Sequence, residues 1–343
     1  KEHGTTVKTE VLAGLTTFVT AAYVLAVNPS VMSATGMDAG AVFTATALAC
    51  FLGTLVMALL TNYPFVLVPS MGLNAYFAYT VVLGMGYSWE VALAAIFVEG
   101  VVFALISLTS LRDKIFEAIP LNLKYAISTG IGLFITIIGL KNSGLVVSSP
   151  ATLVSIFSFS GSLANGTFST AGISVVLFVV GLLITGVLMA RNVKGNILVG
   201  IIITWVLGIV CELGGIYVPD PAAGYMSLLP DFSNGLAIPS LAPTFMKMDF
   251  SRIADLGFVV VAFAFLLTSL FDTVGSLIGL GAKAELLDED GNMPGVGRAM
   301  SAESVATMIA GALGNSATCC SVECAVGIAE GGRTGLMGLT TGV

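Results

Sequence analysis

Apolar runs about as long as a bilayer is thick recur along this chain, and they limit its fold more than any other feature. A hydrocarbon core of about 30 Å takes roughly 20 apolar residues in a helix. Val11 to Val27, Ala39 to Leu60, Val91 to Leu108, Leu121 to Leu140, Ile173 to Ala190, Ile197 to Leu213 and Leu256 to Leu270 meet or approach that length. In hydrocarbon each backbone N–H and C=O must find a partner within the protein, so the expected class is an all-α polytopic membrane protein. Composition agrees: 56% of residues are hydrophobic and 10% charged, far from the averages of soluble domains.

Two more segments, Tyr63 to Gly84 and Asn315 to Ala329, are long enough to cross but are broken by Gly, Pro, Ser or Thr. With a short helix over Ser304 to Leu313 they bring the count to about ten crossings, and an eleventh begins near Thr334. The few cations set the expected orientation. Lys1, Lys8, Arg112, Lys114, Lys124, Arg191, Lys194, Lys283, Arg298 and Arg333 fall on one side, against Lys141, Lys247 and Arg252 on the other. The positive-inside rule then puts the N-terminus in the cytoplasm, and the location expected is the plasma or inner membrane.

Several chemistries are excluded. A net charge of −7 with no basic stretch argues against nucleic acid. The single His3 lies in the N-terminal tail, and Cys50, Cys211, Cys319, Cys320 and Cys324 form no ligand pattern, so no metal is expected. The polar tail Lys1 to Glu10 leads straight into a full-length span, unlike a cleavable signal peptide.

The broken segments are the informative ones. In "YPFVLVPSMGLNAYFAY" an extended stretch through Phe65 to Pro69 precedes a half-helix from about Gly72; Pro69 cannot continue a helical turn and Gly72 permits close approach. "GNSATCCSVECAVGIAEGG" has the same order, with a helical stretch from about Val322 that ends at Gly331 and Gly332. They are the third and tenth segments, seven apart, the separation an inverted repeat of seven helices requires. Such paired interruptions point to a midplane site where half-helix N-termini meet a substrate; a merely kinked or re-entrant pair of helices is the plainer alternative.

Acids inside spans give a second signal, since each costs at least about 2.5 kcal/mol at a helix centre unless paired or hydrated. Asp272 in "LLTSLFDTVGSLIG" has Ser276 one turn on, with Gly275 and Gly279 on a side open to close approach. Glu323 lies inside the second broken segment. Glu99 in "AAIFVEGVVFAL" has no such context, and an interhelical hydrogen bond is its plainer role. Glu212 and Glu303 lie near span ends and are expected to be solvated.

"LTTFVTAAYVLAVNPSVMSATGMD", "PSMGLNAYFAYTVV", "LFDTVGSLIG" and "AVGIAEGGRTGL", in that order, closely resemble the AzgA-like adenine/guanine/hypoxanthine permeases, a branch of the nucleobase cation symporters with the uracil-permease-type fold. The resemblance implies fourteen helices in two inverted repeats of seven. It also implies a substrate-carrying core domain (residues 1–110 and 251–343), a gate domain (residues 111–250) and proton-coupled symport of purine bases. The family's site residues fall on Asn74, Asp272 and Glu323. This chain departs from the usual pattern at Ser70, Ser321 and Cys324, which bears on the preferred purine. The resemblance further implies core and gate helices beyond Val343, so the chain is expected to be C-terminally truncated and not to transport alone.

A purine edge presents ring N–H donors beside N and C=O acceptors; carboxylates accept from the former, and a carboxamide does both. Candidate substrate contacts are therefore Asn74, Asp272 and Glu323 through their side chains. Gly72, Leu73 and Val322 join them at the half-helix starts, and Thr273 and Ser276 beside Asp272. A carboxyl out of water can also load and release a proton, which makes Glu323, or else Asp272, the proton-coupling group. No catalytic residue and no cofactor other than the coupling proton is expected. The partners are a purine base, the lipid bilayer and, as one option, a second copy of the chain. The rival readings are a sulfate- or bicarbonate-type anion carrier, which Glu323 would repel, and a membrane-embedded enzyme, which lacks a nucleophile or metal set.

Overall fold

The computed structural model describes residues 4–109, 126, 129–130, 133, 136–137, 139–150, 152–191, 193, 196–220, 224–230, 238–288 and 293–343. Most of the expected span Leu121 to Leu140 lies outside them, as do Lys1, His3, Arg112, Lys114, Lys124 and Lys194. The chain divides into two compact units, residues 1–132 with 238–343, and residues 133–237.

In the first unit α1 (Val7–Ala21) and α2 (Val24–Ser33) together make one apolar stretch, Val7–Ser33, of 27 residues. It starts earlier than the apolar run because Thr6 caps it, its hydroxyl accepting from Thr9 N. α3 (Ala39–Thr61) is capped by Asp38, whose carboxylate accepts from Ala41 N at 2.7 Å, and it ends at Asn62 in the left-handed region (φ 56°). Strand β1 (Leu67–Pro69) leads into α4 (Met71–Ala75), which continues as a π-helical stretch over Tyr76–Val82. α5 (Trp89–Ser107) follows.

The second unit holds the hairpin β2 (Val146–Ser149) with β3 (Leu153–Ile156), the short α6 (Phe159–Ala164), and the helices α7 (Ile173–Ala190) and α8 (Asn196–Leu213) packed on each other. Leu182, Leu183, Val187, Val206 and Val210 are exposed on these helices, as a lipid-facing surface requires.

The first unit resumes with α9 (Leu256–Lys283), α10 (Val296–Leu313), β4 (Thr318–Cys320), α11 (Cys324–Ala329) and α12 (Gly335–Gly342). Among the described residues five helical stretches are long and apolar enough to cross a membrane: Val7–Ser33, Ala39–Thr61, Trp89–Ser107, Phe168–Ala190 and Leu256–Lys283. α10 is two turns longer than the expected Ser304 start, because its less apolar first turns, Val296 to Glu303, are also packed in the interior.

At the centre of this unit β1 and β4 pair antiparallel, Leu67 against Cys320, Val68 against Cys319 and Pro69 against Thr318. Ser70 N donates to Ala317 O at 2.9 Å and Ser321 N to Val66 O at 2.8 Å, which extends the pairing at both ends. Two short strands buried in a membrane protein leave outer edges that water cannot satisfy. Side chains do so instead: Leu67 N donates to Thr54 Oγ1 of α3 at 3.0 Å, Thr318 N to Thr307 Oγ1 at 3.3 Å and Cys320 N to Glu303 Oε1 at 2.7 Å, the last two from α10. The helices come close enough for this through small residues. A Cβ on Gly100 of α5 would lie 2.8 Å from Met308 Cγ and 3.0 Å from Met308 N of α10. A buried amide network pins the other end of β4: Asn28 Nδ2 of α2 donates to Thr46 Oγ1 at 2.6 Å and to Asn315 Oδ1 at 2.7 Å.

Candidate functional site

The site lies where β1 and β4 give way to helix: Glu323 belongs to the second broken segment, and Asp272, on the unbroken α9, meets the first. Pro69 ends β1 and Ser70 turns the chain into α4; no side-chain bond caps that turn, because the Ser70 hydroxyl donates across to Asp272 Oδ2 of α9 at 2.7 Å. Past β4, Ser321 Oγ donates to Glu323 Oε2 at 2.6 Å, while Tyr23 Oη, from the bend between α1 and α2, donates to Glu323 Oε1 at 2.8 Å. Each carboxyl is half-buried, held by neutral hydroxyls, and no cation pairs with it among the described residues. α9 packs against α4, β4 and α11, which brings the surroundings of Asp272 and Glu323 together.

The other expected contacts are placed differently. Gly72 is half-buried in the first turn of α4, and the Val322 side chain is exposed. Leu73 packs its side chain into the core beside Phe77 and Phe265, so only its backbone remains for a ligand. Asn74 is fully buried, and neither its amide oxygen nor its nitrogen has a partner among the described residues. Thr273 is buried, and the Ser276 hydroxyl is used within α9, donating to Thr273 O at 3.2 Å. The start of α11 is a tight turn: Cys324, Ala325 and Val326 N–H groups donate to the carbonyls of Ser321, Val322 and Glu323, so they are not free for an acceptor.

One expectation about acids is corrected. Glu303 is not solvated: α10 begins at Val296, so Glu303 lies two turns inside it, fully buried, with Oε1 bonded to β4. Glu99, expected to make an interhelical hydrogen bond, faces the Ser269 hydroxyl of α9, with no bond of normal geometry on either oxygen among the described residues. Residues missed by the sequence reading are Tyr23, a polar tip midway in an apolar run, and the carboxyl-binding role of Ser70 and Ser321. In the sequence the latter two stand out only as departures from the family's usual pattern. Cys324 Sγ accepts from Val66 N at 3.1 Å and is buried, consistent with a core filler. Among the described residues no group of three His, Cys, Asp or Glu side chains could hold a metal.

The arrangement offers two carboxyls and backbone polar groups at the centre of a membrane protein, suited to a small planar molecule carrying N–H donors. The model of the Permease family matches residues 8–343. The chain is 41% identical over 345 residues to the guanine/hypoxanthine permease PbuO of Bacillus subtilis (strain 168), which spans 100% of this chain and 74% of that protein. It is 38% identical over 345 residues to the adenine permease AdeP of Escherichia coli (strain K12), spanning 100% of this chain and 71% of that one. Among solved structures, the transmembrane domain of the cyanobacterium bicarbonate transporter BicA superposes with a TM-score of 0.66 at 16% identity, covering 99% of this chain and 81% of that chain. At that identity the likeness concerns the fold alone.

Proposed function

This chain belongs to the Permease family, a multi-pass membrane transporter and not an enzyme, and from that premise we propose that it carries purine nucleobases by proton-coupled symport. Adenine, guanine and hypoxanthine are its substrate class, in line with the names of its relatives. The observation that carries the reading is the pair of carboxyls, Asp272 and Glu323, each presented by hydroxyl donors at the ends of two paired strands. A carboxylate accepts from the ring N–H groups of a purine, and its remaining lone pairs are free to do so. Glu323 also loads the coupling proton.

In this reading β1–α4 and β4–α11 are the two broken helices of a seven-plus-seven inverted repeat, and the first unit is the core domain that holds the substrate. The second unit contributes to the gate, and the N-terminus is cytoplasmic. Asn74 with Gly72 and Leu73 on one side, Val322 on the other, and Thr273 and Ser276 behind Asp272 complete the binding site. The unpartnered amide of Asn74 favours it as a ligand-facing group, since a buried carboxamide without partners costs free energy unless something meets it.

The test is uptake of radiolabelled hypoxanthine into proteoliposomes, with and without an inward proton gradient, against unlabelled adenine, guanine, uracil, sulfate and bicarbonate. Competition by the purines alone, with gradient-driven accumulation, is expected. Competition by sulfate or bicarbonate with none from purines would replace the reading with an anion carrier.

A further inference from the structure

Glu99 takes no part in the site above, yet it is a fully buried acid. It lies ten residues into α5, about 15 Å from the first residue of the helix, near the middle of a span. It is 1% exposed, and neither carboxyl oxygen has a hydrogen-bond partner of normal geometry among the described residues. It lines a cavity of about 200 Å³ between α5 and α9, whose other walls, Val98, Val102, Phe258, Val259, Phe263 and Leu266 among them, are apolar. Val102, Val259 and Phe263 are themselves exposed, so the cavity opens toward the outside of the first unit.

The elements packed on α5 present little else that is polar. From α9 comes Ser269, whose hydroxyl faces Glu99 without a bond of normal geometry; from α10 comes Glu303, whose Oε2 is unpartnered and whose neighbour Ser304 packs on Gly100, next to Glu99; the π-helical stretch brings no ionised group. One turn along α9 from Ser269 lies Thr273, next to Asp272, and α9 packs against β4, the strand that Glu303 bonds. No basic residue enters this row among the described residues. Two carboxylates with no cation between them, out of water, cannot both stay charged, so protonation of one and ionisation of the other are linked.

We propose that Glu99 is a second proton-binding site of this transporter, separate from the substrate carboxyls and linked to them through Glu303. A proton from the medium adds to the Glu99 carboxylate to give the acid, and its departure restores the carboxylate. Each change alters the field at Glu303. Glu303 holds β4 through Cys320 N, a bond that is stronger when its acceptor is a carboxylate than when it is an acid, and Ser321 and Glu323 follow directly. The state of Glu99 is thereby felt at the strand that carries the substrate site. That last link rests on the purine-symport reading; the proton site itself does not.

The probe is dicyclohexylcarbodiimide, an apolar reagent that adds across a protonated carboxyl and rearranges to a stable N-acylurea without a leaving group. The intact transporter in liposomes should be modified at Glu99, as read by peptide mass. The yield should fall about tenfold per pH unit once the acid ionises, and a water-soluble carbodiimide should not reproduce it. Glu99→Gln, monodisperse in detergent, should lose the adduct and narrow the pH range over which uptake varies. No adduct at Glu99 at any pH, an adduct whose yield ignores pH, or a Glu99→Gln variant with the pH profile of the parent would each overturn the proposal. If the parent moves purine without protons while Glu99 still labels in a pH-dependent way, the symport reading fails and the proton site stands.

Discussion

Asp272 is the most exacting place to test the substrate site. Asp272→Asn keeps the size and planarity of the side chain and removes only its charge and one acceptor oxygen. In the structure Oδ2 takes the Ser70 hydroxyl at 2.7 Å and the Cys319 thiol lies close by; in the proposed site Oδ1 meets a purine N–H. In the variant the single carbonyl oxygen must serve one of them, and the NH2 group faces the other donor. A hydrogen bond to a charged group is worth about 1.5 to 3 kcal/mol, and each 1.4 kcal/mol is tenfold in affinity. Equilibrium binding of radiolabelled hypoxanthine to the purified protein should therefore weaken by roughly 10-fold to 100-fold. Ser70→Ala leaves both carboxylate oxygens and removes only their orienting donor, so its loss should be smaller. An Asp272→Asn protein that is well folded and binds hypoxanthine as the parent does would remove this carboxyl from the site.

Glu323→Gln mimics the proton-loaded state, so purine exchange across the membrane should persist, while gradient-driven accumulation and the pH dependence of binding are lost; accumulation that survives would move the coupling proton to Asp272. Thr54→Val, nearly isosteric, strips Leu67 N of its 3.0 Å acceptor at the buried edge of β1. It should lower unfolding stability by about 1 to 3 kcal/mol, seen as a reduced Tm in detergent, and an unchanged Tm would mean that the strand edge has another acceptor. Gly100→Ala places a Cβ 2.8 Å from Met308 Cγ and 3.2 Å from Ser304 O, so α5 and α10 must part at a cost of about 1 to 3 kcal/mol. A variant as stable as the parent would show that this helix contact yields freely.

What the sequence by itself determined was the class of protein and the places of its spans. The lengths of apolar runs answer to bilayer thickness, a constraint each segment obeys alone, and so Ala39 to Leu60 or Ile173 to Ala190 could be read one by one and recur within a residue or two in α3 and α7. The residues around Pro69 and Thr318 could likewise be read as extended, because Pro and small polar residues carry that preference locally. Tertiary structure decided the rest. That Leu67 to Pro69 pairs with Thr318 to Cys320 depends on two segments some 250 residues apart meeting in one core. Partners at that separation leave no periodicity to read. For the same reason Tyr23 and Ser70 could not be assigned to Glu323 and Asp272 from the chain alone. Glu303 shows the point most plainly: judged by its neighbours in sequence it belonged to a solvated helix end, but β4 needed an acceptor for Cys320 N. A buried backbone donor with no water nearby makes that demand wherever the fold brings it, and only the packed unit shows which side chain answers it.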